Sequence, residues 1–188
     1  MRAIMRVAVP VMAAMLLLSV TGMAQAHRLD EYLQATMIGI TRQRVAVTLR
    51  LTPGRGVAPA VIHQIDSNGD GTVSPDEQHA YATRMARGLE ISLNGHALSL
   101  RQGEAVFPSI AAMQAGSGVI VLQYEATVAL KPGLYHLAYV NHASGPDVVY
   151  LVNTLMPDDP AIHPRQQHRS VDQSSYGLEF SVTPQGGT

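Results

Sequence analysis

Cysteine and tryptophan are absent from the 188-residue chain, and phenylalanine occurs twice. Without thiols there is no disulfide, no thiolate metal site and no cysteine nucleophile. A strong charge of either sign is also missing. Lys+Arg number 13 against 14 Asp+Glu, and charged residues make up 14% of the chain. A nucleic-acid footprint needs a basic stripe, and nothing in the sequence resembles one. Catalytic signatures are missing too: no Gly-x-Ser-x-Gly elbow, no Gly-rich phosphate loop and no His-Glu-x-x-His. Asp30 and Glu31 are adjacent carboxylates, but neighbours on a strand face opposite sides and make a poor acid–base pair. The chain reads as something other than an enzyme.

Long apolar runs are scarce. The stretch Val7–Val20 follows Arg2 and Arg6 and is interrupted by Pro10. It is shorter than the ~20 residues that a membrane-spanning helix needs. Ala24-Gln25-Ala26 then supplies a small-x-small cleavage pattern, so residues 1–26 read as a secretory signal peptide. The expectation is a folded domain over residues 27–183 and a flexible tail over 184–188. Removal of Arg2 and Arg6 leaves 11 Lys+Arg against 14 Asp+Glu, a side-chain net of −3. Such a product would be periplasmic or secreted, would carry no transmembrane segment, and would have to fold without disulfides on its hydrophobic core alone.

What is present is a β pattern. Val45, Val47, Leu49 and Leu51 alternate with Ala46, Thr48, Arg50 and Thr52, the period-two signature of a half-buried strand. Tyr32–Ile40 reads as its partner across a turn at residues 41–44. Leu89–Leu93 and His96–Leu100 flank Asn94-Gly95, the preferred pair for a type I′ hairpin. Gly118–Leu130, Leu134–Asn141, Val148–Leu155 and Tyr176–Val182 complete about eight strands. The predicted fold is mainly β, an antiparallel β-sandwich or barrel. Two helices interrupt it. One covers about residues 58–65, with Pro59 in its first turn. The other starts after Ser74, with Pro75 at its first position and Glu77 completing a capping box, and stops at Gly88. Tyr81 and Met85 share a face of this second helix.

Between the two helices runs Asp66-Ser-Asn-Gly-Asp-Gly-Thr-Val-Ser-Pro-Asp-Glu77, which holds four of the chain's 14 acids. This segment resembles the loop of a calcium-binding EF-hand, and with its flanks the unit covers about residues 58–88. A hard cation wants oxygen ligands. The resemblance implies side-chain oxygens from Asp66, Asn68 and Asp70, and a backbone carbonyl from Thr72. Ser74 would act directly or through water, and Glu77 would chelate with both oxygens. Gly71 permits the sharp turn, and Val73 ties the loop to neighbouring β structure. No second loop accompanies it: Asp158-Asp159-Pro160 has neither the spacing nor the glycine. A lone loop should hold Ca²⁺ more weakly than a paired cytosolic site, and extracellular modules bind at about 10⁻⁴–10⁻³ M, which suits a structural role.

A second metal reading concerns His27. Cleavage after Ala26 would place its amine and imidazole nitrogens together, a donor pair suited to Cu(II). His136 and His142 lie at even spacing on one predicted strand and could supply a further nitrogen. The protein would then be a copper- or nickel-handling accessory.

The opening His27-Arg-Leu-Asp-Glu-Tyr-Leu-Gln-Ala35 is similar to the exported N-terminal region of hydrogenase/urease accessory (HupE/UreJ-like) membrane proteins. So is the order that follows: β structure, an Asp-x-Asn-x-Asp-Gly loop, then Tyr150-Leu-Val-Asn153. Such relatives continue into a bundle of membrane helices thought to move metal or to assist metalloenzyme maturation. For a chain that stops before the bundle, the resemblance implies an accessory or metal-binding role, or an adaptor docking on a membrane protein partner.

Overall fold

The computed structural model describes residues 30–184. The signal-peptide reading of residues 1–26, the His27 reading and residues 185–188 of the tail lie outside the described residues. Among the described residues, ten strands form two five-stranded sheets, which makes the fold a β-sandwich and not a closed barrel. β1 (Tyr32–Ile40) pairs antiparallel with β2 (Arg44–Pro53), with Tyr32 opposite Pro53 and Ile40 opposite Val45. Val45, Val47, Leu49 and Leu51 are fully buried, as their alternation predicts. β3 (Leu89–Leu93) and β4 (His96–Ala97) flank the Asn94-Gly95 turn, where both residues take positive φ, as a type I′ turn requires. β5 (Arg101–Val106), β6 (Ile120–Thr127), β7 (Gly133–Asn141), β8 (Val148–Thr154), β9 (Ile162–Arg169) and β10 (Ser175–Val182) follow. The first sheet has the order β5-β6-β2-β1-β8 and the second β4-β3-β7-β10-β9.

Three features depart from the sequence reading. β8 joins β1 in parallel register, Tyr32 opposite Val148, so the first sheet is not wholly antiparallel. β5 and β9 are additional strands. Both are sheet edges with largely exposed side chains, so neither carries an apolar alternation to read. A short helix, here α3 (Ile110–Gln114), also forms, capped by Ser109. Among the described residues no helix is long and apolar enough to cross a membrane.

The helix–loop–helix sits between β2 and β3 and carries the chain from one sheet to the other. α1 (Ala58–Ile65) has Pro59 in its first turn. α2 (Pro75–Arg87) starts at the Ser74 capping box. It lies against β3 and the edge strand β5. Val61 and Ile65 of α1 and Tyr81, Ala82 and Met85 of α2 belong to the same apolar core as the sheets. Burial of Ile65 and Met85 contributes on the order of 1.5–3 kcal/mol each. Tyr124 of β6 donates its hydroxyl to the Ala82 carbonyl at 2.7 Å, pinning α2 to the first sheet.

Gly88 ends α2 for a different reason than helix-terminal glycines usually have. Its φ is −87°, within reach of any residue. A Cβ there would lie 2.8 Å from the Cα and N of Ala143, so the glycine admits a close backbone approach. Polar groups cross the interior between the sheets. Thr36 and Tyr139 share a hydrogen bond of 2.9 Å, and Asn141 Nδ2 donates to Gln34 Oε1 at 3.0 Å. These pairs satisfy groups that burial would otherwise leave costly.

Candidate metal site

Asp66 directly follows α1, and its carboxylate organises the first half of the loop. Oδ1 accepts from the N–H of Gly69 at 2.8 Å and of Asp70 at 3.2 Å, and Oδ2 accepts from Gly71 N–H at 3.0 Å. Gly69 and Gly71 have φ of 71° and 81°, a left-handed conformation that glycine adopts without a Cβ penalty. The two glycines therefore let the chain curl around one carboxylate. Asn68 Oδ1 accepts from Asp70 N–H at 2.9 Å, and Asn68 Nδ2 donates to Asp70 Oδ2 at 3.0 Å. Asp70 Oδ1 in turn accepts from the N–H and hydroxyl of Thr72, at 2.9 and 2.7 Å.

Glu77 closes the other half. Its Oε2 accepts from Ser74 N–H at 3.0 Å and Ser74 Oγ at 2.8 Å. Its Oε1 reaches back across the loop to Ser67 N–H at 2.8 Å and Ser67 Oγ at 3.2 Å. Among the described residues, Asp66 and Glu77 are the buried acids, 6% and 8% exposed. The donors from Ser74, with those of Ser67 and Asn68, hold the Glu77 carboxyl down at about 2, against an ordinary 4.5. Thr72, then Asn68, lowers Asp70 by the same route. Hydrogen bonds to the charged form are the cause in both cases, so Glu77 stays ionised far into the acid range and Asp70 below its ordinary value.

The expected residues Asp66, Asn68, Asp70, Thr72 and Glu77 are linked by hydrogen bonds within one loop, and each carries an oxygen. Among the described residues, no three His, Cys, Asp or Glu side chains form a ready cluster for a metal ion. The loop carboxylates are turned onto N–H and O–H groups of the loop itself. Two of the five donors, the Asn68 amide and the Thr72 carbonyl, are of other types. An oxygen-only set of three carboxylates, an amide and a carbonyl fits a hard divalent cation and suits a thiophilic one poorly. Glu77 would have to exchange bonds to Ser67 or Ser74 to offer both oxygens to such an ion.

Val73 corrects another expectation. It takes part in no strand pairing. Its side chain packs against the core while its carbonyl accepts from Gln78 Nε2 at 3.0 Å. Ser67, a principal partner of Glu77, carries no signal in the sequence, because the contact exists only once the loop has closed. The histidines stay apart. His136 is exposed in β7, opposite Glu179 of β10. His142 lies beyond the end of β7, with Nε2 3.6 Å from Glu90 Oε1. Comparison with known proteins adds no assignment: no family model matches the chain, and a search of the curated proteins finds no match.

Proposed function

We propose that this chain is an exported calcium-binding protein in which the loop from Asp66 to Glu77 takes one Ca²⁺ in a structural role. The observation that carries this reading is the path of Glu77. Its carboxylate spans from Ser74 at one end of the loop to Ser67 at the other, over a turn already shaped by the Asp66 carboxylate and two glycines at positive φ. Asp66, Asn68 and Asp70 would hold the ion through side-chain oxygens, Thr72 through its carbonyl, and Glu77 through its carboxylate. The ion supplies positive charge to a stretch with four acids and no basic residue. Because it binds the folded form, it stabilises that form by mass action. The two helices that the loop joins are part of the sandwich core, so this stabilisation reaches both sheets.

Isothermal titration of the purified protein with Ca²⁺ tests the reading, with Glu77→Gln as the control. Binding at a single site, abolished in E77Q, is the expected result. Equal binding in E77Q, or no binding to the parent protein, would sink it. The copper- or nickel-handling reading rests on His27, and the placement of His136 and His142 brings it no further support.

A further inference from the structure

A cleft with a basic lining opens between the C-terminal half of α2 and the segment after β7. Its volume is about 450 Å³, and Gln64, Arg84, Arg87, His142 and Ser144 line it, with no acid among the lining residues. Gly88 and Ala143 complete the lining, brought together by the missing Cβ described above.

The basic groups are held in different ways. Arg84 Nη2 donates to the Gln64 carbonyl at 2.7 Å, and its guanidinium carbon stands 4.8 Å from the centre of the Tyr81 ring. The head group is therefore fixed in place while its other N–H donors remain available. Arg87 is exposed and has no hydrogen-bond or ion-pair partner among the described residues. Its spacing of three from Arg84 places the two guanidinium groups on one helix face, where like charges repel. His142 is anchored through its N–H, which donates to the Gly88 carbonyl at 2.7 Å. The carboxylate at its ring is Glu90, 3.6 Å away and itself outside the lining. Neither arginine is paired with a carboxylate among the described residues. The C-terminal end of α2 opposes an anion here with roughly half a negative charge. Two full guanidinium charges outweigh it, and the Gly88 carbonyl is already taken by His142.

We propose that this cleft binds a small oxyanionic ligand, a molecule presenting a carboxylate or a phosphate group to Arg84, Arg87 and His142. Guanidinium forks match both groups in bidentate fashion, and a neutral ligand would leave the charges unanswered. No residue of the loop from Asp66 to Glu77 lines the cleft, and the proposal does not rest on the calcium reading.

Titration calorimetry at constant ionic strength tests the proposal, using citrate as the carboxylate probe and inorganic phosphate as the other, with chloride as background. Saturable binding of either probe is expected, and the one that binds identifies the ligand chemistry. Arg87→Gln should weaken it about tenfold or more, in line with the loss of a hydrogen bond to a charged group. Because Arg87 is exposed and without a partner, the substitution should leave thermal unfolding unchanged, and H142Q provides a second variant. No saturable binding of either probe, or equal affinity in R87Q and H142Q, would overturn the site.

Discussion

The hydroxyls of Tyr32 and Tyr81 are hydrogen-bonded to each other inside the protein, 49 residues apart in sequence. Tyr32 opens β1, and Tyr81 lies mid-way along α2. Both are essentially inaccessible to water. The pair therefore ties the first strand to the helix that leaves the acidic loop. Each hydroxyl is the other's partner, so removing one strands the other in the interior. Tyr32→Phe and Tyr81→Phe should each destabilise by about 1–3 kcal/mol. The double variant should cost less than the sum, since the second change leaves nothing unpaired. Urea unfolding of all four proteins measures this, and strictly additive losses would show that the hydroxyls are not coupled.

At alkaline pH the buried phenols should limit stability. Burial is the main cause that raises the ionisation of Tyr32, Tyr81, Tyr124 and Tyr139 above 10. A raised pKa favours the neutral form in the folded state. Its stabilisation is complete below the unfolded value, near 10, and is lost as pH rises above it. Phenolate absorbance followed with circular dichroism should show these tyrosines ionising together with unfolding. Full ionisation of all seven tyrosines in a still-folded protein would contradict this placement.

In acid the sign reverses. Glu77 has a folded value of about 2 against an ordinary 4.5, so its contribution is complete above 4.5. It is lost as pH falls through that window. In the absence of calcium, the melting temperature should fall between those two values, and Glu77→Gln should flatten the fall. An E77Q protein with the parental acid profile would show that the Ser74 and Ser67 bonds do not shift this carboxyl.

Gly88→Ala separates two explanations of a helix-ending glycine. Backbone conformation alone would make alanine harmless at φ −87°. The close approach of Ala143 makes it an overpacking change, with an expected loss of about 1–3 kcal/mol. Thermal melting of G88A decides between them.

Much of the fold was legible because burial imposed a period on the residues. β1, β2 and the helix spans showed it plainly, since each buries one face against the core. β9 could not be read in this way. It is an edge strand that contains Pro164 and presents mostly polar, exposed residues. An edge strand tolerates proline and needs no apolar alternation. The candidate site was legible in part. Oxygen-bearing residues at regular spacing in Asp66–Glu77 stand out as a pattern, whereas Ser67 as a partner of Glu77 does not.

By itself, the sequence determined the local choices: the alternating strands, the Asn94-Gly95 turn, the capping box at Ser74 and the glycines that let the acidic loop curl. Each follows from backbone preference or from the period of one element. Tertiary structure alone decided the parallel pairing of β8 with β1, the close approach at Gly88, the Tyr32–Tyr81 bond and the meeting of Arg84, Arg87 and His142 around one cleft. These depend on which surfaces meet after the chain has closed. That is a matter of shape and burial between distant segments, and no local pattern of residues records it.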